Sequence, residues 1–200
     1  MKILVATGNK HKFQEIMNIL PHQTKKGENI DYVSLQEIEG PVLPPEDGLT
    51  LQANAELKAV YAAQHSGLWA ISDDTGLSVD FLNGQPGVYT ARYAGPTADT
   101  QANNTKLLQE LQGLATSERT AHFCTIACLS DPQGKSICFE GILNGRIGCE
   151  YSGTNGFGYD PIFVVEGTDK TLAQMTEQEK NKISHRAKAF EKLAEYLVCL

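Results

Sequence analysis

The chain has 200 residues, a formal net charge of −7 and 41% hydrophobic residues. This composition is typical of a globular protein, either one large domain or one domain with two lobes. The acidic balance argues against a nucleic-acid binder, and no apolar run approaches the roughly 18 residues that a membrane span needs. Five cysteines without zinc-ligand spacing, and no secretion signal, predict reduced thiols in a cytoplasmic protein.

A strand, a tight turn and a helix are predicted at the start of the chain. Residues 2–6 form an apolar strand, and apolar positions over 13–20 recur at helical spacing until Pro21. The free backbone N–H groups of a helix start bind phosphate well. An ordinary turn with solvated lysines is the alternative for the connecting segment Thr7-Gly8-Asn9-Lys10-His11-Lys12.

The next segments are a strand over 30–35, a proline-rich acidic loop over 39–48, and a helix over 50–64. Asn54 and Lys58 lie four residues apart on that helix, so they share a face. We favour a solvated face for this pair.

The most informative segment contains the adjacent acids Asp73 and Asp74. The apolar residues 69–71 precede them, and apolar positions alternate with polar ones after Gly76. The pair is therefore predicted at the end of one strand, just before a second strand. Neighbouring side chains in a strand point to opposite faces, so the two carboxylates are expected to do different jobs.

The second half of the chain predicts a helix over 98–112 and two long strands, 120–129 and 135–147, joined as a hairpin. Cys124 and Cys128 share one face of the first strand and are predicted to be buried core thiols.

An aromatic loop over 156–161 comes next, held between glycines, and a flat ring can stack on it; a packed turn is the alternative. A capping box over 176–179 then predicts a helix start. A charge run is usually solvated, but the run that follows is strongly basic within an acidic protein: Lys180, Lys182, His185, Arg186 and Lys188.

These segments combine into one chemistry. Carboxylates bind Mg²⁺, and Mg²⁺ together with lysines neutralises a polyphosphate. An aromatic loop with hydrogen-bonding neighbours holds a base. The residues therefore indicate nucleotide hydrolysis.

The same segments resemble the inosine triphosphate pyrophosphatase family, the Ham1-like pyrophosphatases of non-canonical purine nucleoside triphosphates. The resemblance covers nearly the whole chain, and its blocks are specific together although each is weak alone. The blocks that match in order and spacing are Thr7-Gly8-Asn9-x-x-Lys12, Ser72-Asp73-Asp74-Thr75-Gly76-Leu77, Pro86-Gly87-Val88-Tyr89-x-Ala91-Arg92-Tyr93, Phe157-Gly158-Tyr159-Asp160-Pro161 and Ser184-His185-Arg186.

The resemblance implies an α/β fold with a long mixed twisted sheet, flanking helices and two lobes with the active-site cleft between them, in one domain over 1–200. It also implies Mg²⁺-dependent hydrolysis of ITP, dITP and XTP to the monophosphate and pyrophosphate, by a homodimer. Asp74 is then the proton acceptor and a Mg²⁺ ligand. The implied substrate-binding residues are Thr7, Gly8, Asn9, Lys10, His11, Lys12, Thr75, Phe157, Gly158, Tyr159, Asp160, Lys180, His185 and Arg186.

One departure concerns the metal ligands. Family members often carry Glu-Asn-Ala on the second helix, whereas this chain has Ala53-Asn54-Ala55. For the second metal-binding acid we choose Glu46, with Glu39 as the runner-up.

Three questions stay open at the level of sequence. A module that senses purine nucleotides without cleaving them is one alternative function, and an enzyme for modified pyrimidine triphosphates is another. His185 and Arg186 are the candidate donors to the C6 carbonyl of the base, and the backbone N–H groups of residues 157–160 are the alternative.

Overall fold

The computed structural model describes residues 1–38, 43–97 and 99–200. It is a mixed α/β protein with a seven-stranded sheet, which confirms the predicted fold class. The strands are β1 (Lys2–Val5), β2 (Asp31–Ser34), β3 (Trp69–Val79), β4 (Pro86–Gly87), β5 (Thr120–Ser130), β6 (Ser136–Ile147) and β7 (Phe163–Val165). The α-helices are α1 (Lys10–Met17), α2 (Leu51–Ser66), α3 (Thr100–Glu110), α4 (Glu177–Asn181) and α5 (His185–Leu197). None of the described helices is both long enough and apolar enough to cross a membrane.

The sheet has the strand order β2-β1-β3-β5-β6-β7, and the short β4 pairs with β3. Strand β1 runs parallel to both of its neighbours, with Ile3 opposite Tyr32 and opposite Trp69. Parallel neighbours need crossover connections, and α1 and α2 supply them. Strands β5 and β6 form the predicted hairpin, closed where the Asp131 N–H donates to the Lys135 carbonyl over 3.0 Å.

The chain divides into two compact units. Unit 1 comprises residues 1–74, 125–141 and 185–200, and unit 2 comprises residues 75–124 and 142–184. Strands β3, β5 and β6 each contribute residues to both units. The predicted cleft between two lobes stays a prediction.

Unit 1 has apolar packing on both faces of β1. Ile3 and Val5 pack in one cluster with residues of α1 and α5, including Ile16 and Phe190. The alternate residue Leu4 packs in a second cluster with alanines of α2. Because successive side chains of a strand point to opposite faces, α1 and α5 cover one face of β1 and α2 covers the other.

Unit 2 has its own core, in which Leu77 and Val79 of β3 are fully buried. Leu107 of α3 and Phe163 of β7 belong to the same cluster. The core therefore joins α3 to the strands of this unit, and so fixes where α3 lies.

The structure corrects the prediction of two strands around the acid pair. Strand β3 is continuous from Trp69 to Val79, so Asp73 and Asp74 lie inside a strand and not at the end of one. Gly76 does not interrupt it, because the extended backbone continues into the β3–β4 pairing, where Leu77 lies opposite Gly87.

The prediction of five reduced thiols is wrong for two of them, because Cys128 and Cys138 form a disulfide. The hairpin register explains the pairing. Asp131 lies opposite Lys135, so counting outward by three residues on each strand brings Cys128 opposite Cys138. The other three cysteines form no disulfide: Cys124, Cys149 and Cys199.

Candidate active site

The turn before α1 is held by side-chain caps. Asn9 caps the helix, and its Oδ1 accepts from the backbone N–H groups of His11 at 2.9 Å and of Lys12 at 3.2 Å. Thr7 Oγ1 accepts from the Asn9 N–H at 3.3 Å. Gly8 and Lys10 are exposed. The turn is therefore rigid, yet open to a ligand on its outer side.

Asp73 lies on the α1 and α5 face of β3 in an ion network. Its Oδ2 is 3.0 Å from Lys12 Nζ and 3.6 Å from Arg186 Nε. Arg186 also pairs with Glu15 of α1. Burial by itself favours the neutral acid, but the Lys12, Arg186 and Lys58 cations outweigh it and hold the pKa of Asp73 well below its usual range. Asp73 is thus a permanent anion that anchors the basic residues.

Asp74 faces α2 instead. Its Oδ2 accepts from Asn54 Nδ2 at 3.2 Å, and its Oδ1 is 3.6 Å from Lys58 Nζ. Asp74 is 7% exposed. Burial raises the pKa of Asp74, the Glu46 carboxylate adds to the rise, and the Lys58 cation opposes it. A carboxylate held this way accepts a proton more readily than an ordinary aspartate.

Lys58 connects the acids of this face. Its Nζ donates to Glu46 Oε1 at 2.5 Å and to the Asp73 carbonyl at 2.6 Å. Burial disfavours the ammonium ion, but the carboxylates of Asp73, Asp74 and Glu46 outweigh that effect and raise the pKa of Lys58. Lys58 is therefore a buried cation, and the predicted solvated face of Asn54 and Lys58 is wrong. The physical reason is that α2 lies on β3, whose polar groups these two side chains meet.

The two acids accordingly do different jobs, as the alternation of a strand predicts. Asp73 holds cations from α1 and α5, whereas Asp74 meets the amide and the lysine of α2. The next residue, Thr75, is half-buried and belongs to unit 2.

Unit 2 contains the second group of predicted residues, in the loop before β7. The Asp160 N–H donates to the Phe157 carbonyl at 3.3 Å, which closes a tight turn. Asp160 Oδ2 accepts from the Phe157 N–H at 2.9 Å and from Lys180 Nζ at 2.7 Å. Gly156 has a φ of +76°, and a side chain there would collide with the Asp160 carboxylate. This approach requires glycine.

The cation of Lys180 also lies 4.7 Å from the centre of the Phe157 ring. A cation over an aromatic face is attracted by the ring quadrupole. Phe157 is half-buried and Tyr159 is buried, with its hydroxyl donating to the Thr90 carbonyl at 2.9 Å. The ring of Phe157 is therefore held at the surface of a turn whose other side chains are fixed.

The predicted basic run divides into buried and exposed members. Lys180, His185 and Arg186 are buried, whereas Lys182 and Lys188 are exposed. A glycine of β6 explains the close packing at the start of α5, because a side chain at Gly141 would collide with the His185 carbonyl.

The structure thus assigns the predicted residues to two groups. The group in unit 1 is Thr7, Gly8, Asn9, Lys10, His11, Lys12, Glu46, Asp74, His185 and Arg186. The group in unit 2 is Thr75, Phe157, Gly158, Tyr159, Asp160 and Lys180.

Sequence reasoning did not predict several bonds to these residues. The bonds come from Asp73, Glu15, Asn54 and Lys58. A usable signal existed for Asn54 and Lys58, since a polar pair at helical spacing facing a strand with two acids has natural partners. Glu15 gave no such signal.

The acids of unit 1 suit a hard divalent cation. Glu46 Oε1 and Asp74 Oδ1 lie 2.5 Å and 3.6 Å from Lys58 Nζ, so the two carboxylates approach one another around this cation. Mg²⁺ is typically held by one or two carboxylates plus substrate phosphates, which matches this donor set. Within residues 1–38, 43–97 and 99–200, no group of three or more His, Cys, Asp or Glu side chains forms a complete metal cage. The alternative ligand, Glu39, lies outside the described residues.

The fold and these groups define an α/β protein in which a capped helix start and its lysine lie beside a pair of adjacent carboxylates. The chain belongs to the Ham1 family, whose sequence profile matches residues 3–196.

The dITP/XTP pyrophosphatase of Elusimicrobium minutum is 54% identical over 194 residues, covering 97% of this chain and 98% of that protein. The dITP/XTP pyrophosphatase of Caldanaerobacter subterraneus is 44% identical, covering 99% and 96%. Among solved structures, a HAM1 protein from Coxiella burnetii aligns with a TM-score of 0.88 at 36% identity, covering 98% of each chain.

Proposed function

We propose that this protein is a Mg²⁺-dependent nucleoside triphosphate pyrophosphatase acting on the non-canonical purine nucleotides ITP, dITP and XTP. The observation that carries the proposal is the setting of Asp74, a buried carboxylate of raised pKa bonded to Asn54 and close to Lys58. The family and the names of its close relatives support the substrate class.

The reaction we propose is attack of water on the α-phosphorus. Asp74 accepts a proton from the water as the new bond from oxygen to phosphorus forms. The bond from the α-phosphorus to the bridging oxygen breaks, and pyrophosphate leaves with that oxygen. General-base assistance of this kind contributes roughly 10²- to 10⁴-fold in rate.

We assign the triphosphate to the turn before α1. The side chains of residues 7–12, together with the N–H groups of the turn that Asn9 and Thr7 do not cap, bind its oxygens. Lys12 supplies charge next to Asp73. Glu46 and Asp74 would hold Mg²⁺. When bound, the ion withdraws charge from the phosphate oxygens and supports the leaving pyrophosphate.

We assign the base to the turn of unit 2. Phe157 provides a stacking face beside Lys180. Thr75, Asp160 and His185 are further substrate contacts that the family resemblance implies. Arg186 is 2% exposed, and its guanidinium already meets the carboxylates of Glu15 and Asp73. We therefore give Arg186 an anchoring role beside the phosphates and transfer recognition of the C6 carbonyl to backbone N–H groups of residues 157–160.

The decisive experiment measures products from ITP, dITP, XTP, GTP, ATP and a modified pyrimidine triphosphate, with the wild type and Asp74→Asn. We expect pyrophosphate from the first three, and a loss of roughly 10²- to 10⁴-fold or more in Asp74→Asn. Asp47→Asn, an exposed acid next to Glu46, is the control and keeps its rate. Orthophosphate as the first product would contradict attack at the α-phosphorus. Binding without cleavage would indicate a sensor, and preference for the pyrimidine would overturn the substrate class.

The homodimer implied by the resemblance, and the cytoplasmic location inferred from the cysteine content and the lack of a secretion signal, both stay predictions. Sedimentation equilibrium of the purified protein tests the first. Fractionation of cells tests the second.

A further inference from the structure

Asn104 of α3 carries a buried acceptor that the fold leaves unused. The side chain is 1% exposed, and its Nδ2 donates to the Gly158 carbonyl at 3.1 Å. Across the described part of the chain, Asn104 Oδ1 meets no hydrogen-bond donor. An unpartnered buried polar atom destabilises a fold, so a residue that tolerates one calls for an explanation beyond packing.

The bond from Asn104 sets the direction of one peptide group. Gly158 and Tyr159 are the two central residues of the turn that the Asp160 N–H closes on the Phe157 carbonyl. A trans peptide is planar, with its C=O and N–H pointing in opposite directions. With the Gly158 carbonyl directed at α3, the Tyr159 N–H points away from α3. Among the described residues, no backbone carbonyl accepts a hydrogen bond from this N–H.

Other bonds fix the rest of the turn. Asp160 holds the Phe157 N–H, and the Tyr159 hydroxyl is tied to the Thr90 carbonyl. The peptide between Gly158 and Tyr159 has Asn104 as its side-chain partner. Gly158 has a φ of +65°, the turn geometry that glycine adopts without strain.

We propose that Asn104 is a positioning residue for base specificity: it holds the Gly158–Tyr159 peptide so that the Tyr159 N–H donates to a carbonyl of the purine that stacks on Phe157. The inference rests on the proposed function and adds the group that selects the base. Hypoxanthine and xanthine present a carbonyl oxygen at C6, which accepts a hydrogen bond. Adenine presents an amino group there, which leaves the backbone donor unpaired.

The adjacent residue Asn103 supplies a matched control. It is 4% exposed on the same helix and makes two bonds to backbone groups, from the Ala94 N–H at 2.7 Å and to the Ala91 carbonyl at 3.1 Å. Removing it costs a buried amide of the same size without touching the turn of residues 157–160. Asn103→Ala therefore reports the loss of a buried amide of α3 that bonds to residues 91 and 94 and not directly to the turn.

The kinetic test compares kcat/KM for ITP and ATP in the wild type, Asn104→Ala, Asn104→Leu and Asn103→Ala. We expect both Asn104 variants to lower the ITP-to-ATP ratio about 5- to 100-fold, through loss of ITP turnover, with ATP changed less than about twofold. Leucine has about the same volume as asparagine but lacks its N–H donor. Asn104→Leu can therefore be measured even if Asn104→Ala does not fold. Asn103→Ala should keep the ratio. An equal loss for both nucleotides in the Asn104 variants would overturn the proposal.

A second measurement does not depend on catalysis. Calorimetric titration with IMP and AMP should show tighter binding of IMP by the wild type and Asn103→Ala, and equal binding by Asn104→Leu. In ¹⁵N spectra, IMP should shift the Tyr159 amide of the wild type. If the wild type released no pyrophosphate but kept an IMP preference that Asn104→Leu abolished, the positioning role would stand and the proposed hydrolysis would fall. A wild type that binds IMP and AMP alike overturns the positioning role.

Discussion

Asn54 holds Asp74 and the loop that carries Glu46 with a single amide group. Its Nδ2 donates to Asp74 Oδ2 at 3.2 Å, while its Oδ1 accepts from the Gly48 N–H at 2.8 Å. A side chain at Gly48 would collide with this amide. One buried side chain thus determines that Asp74 presents Oδ1 to Lys58, and keeps the segment next to Glu46 against α2.

Replacing Asn54 with Ala should lower kcat/KM about 5- to 150-fold, because one oxygen of Asp74 loses its donor and the Gly48 N–H loses its acceptor. The Mn²⁺ affinity of the free protein, followed by electron paramagnetic resonance, should fall as well. Gln52→Ala removes an exposed amide of the same helix and is the control. Unchanged rates in Asn54→Ala would exclude its role in orienting Asp74.

The raised pKa of Asp74 predicts the acid limb of the rate profile. Asp74 must be ionised to accept a proton, so activity falls as the pH drops through its folded-state pKa, which lies above the ordinary 3.8. A bound divalent cation favours the ionised form, so raising Mg²⁺ should move the limb to lower pH. The measurement is kcat/KM against pH at two Mg²⁺ concentrations, with circular dichroism to exclude unfolding. An acid limb at the same pH for both Mg²⁺ concentrations would argue against Asp74 as a metal ligand.

The lowered pKa of Asp73 predicts a pH-dependent stability. Its folded-state value lies below the ordinary 3.8, so between the two values the unfolded chain binds the extra proton. The stabilisation is therefore complete above the unfolded value and is lost as the pH falls through the folded value. Removing one partner of a buried ion pair costs about 3–5 kcal/mol, so Asp73→Asn should unfold at lower urea concentration near neutral pH. The gap between variant and wild type should shrink in acid.

Lys12 should affect all substrates alike. A phosphate contact carries no information about the base, so Lys12→Ala is expected to lower kcat/KM for ITP and GTP by the same factor. Its pairing with Asp73 at 3.0 Å adds a loss of stability that the exposed Lys10→Ala does not share. Steady-state kinetics and urea unfolding separate the two effects. A selective loss of ITP would place Lys12 beside the base.

The disulfide should stabilise the hairpin. Cys128 and Cys138 are 10 residues apart, and closing a loop of that size in the unfolded chain contributes about 2.5–3 kcal/mol. The double variant Cys128→Ser with Cys138→Ser should lose that amount in oxidising buffer and differ little from the wild type under reduction. Cys149→Ser, which alters an exposed free thiol, is the control. Equal stability of wild type and double variant without reductant would contradict the contribution.

Strand β1 and helix α1, on either side of the turn before α1, were predictable because their sequence signals are local. The apolar run before Gly8 and the helical spacing after it specify β1 and α1 without reference to the rest of the chain. The turn of residues 157–160 and the cap at Thr176 were likewise visible, since glycines and capping boxes act over a few residues.

The burial of Asn54 and Lys58 was not predictable in the same way. Helical spacing shows that they share a face, but their partner Asp74 lies on a strand elsewhere in the chain. The Cys128–Cys138 pair was within reach of the hairpin register, yet an odd number of cysteines favoured free thiols. The proposed role of Asn104 could not be predicted from the sequence, because it depends on the direction of the Gly158 carbonyl.

Unit 1 is built from three separate stretches of chain, and this governs when it can fold during translation. Arg186 pairs with Glu15 and lies close to Asp73. Both acids leave the ribosome early, whereas Arg186 is synthesised some 110 residues after Asp73. At about 5–20 residues per second, this delay is roughly 5–20 s. Through that interval the nascent chain carries carboxylates without their arginine and a sheet face without α5. The synthesis of the last helix therefore sets the moment at which unit 1 becomes a folded protein, and a nascent chain stalled before residue 185 should remain a substrate for chaperones.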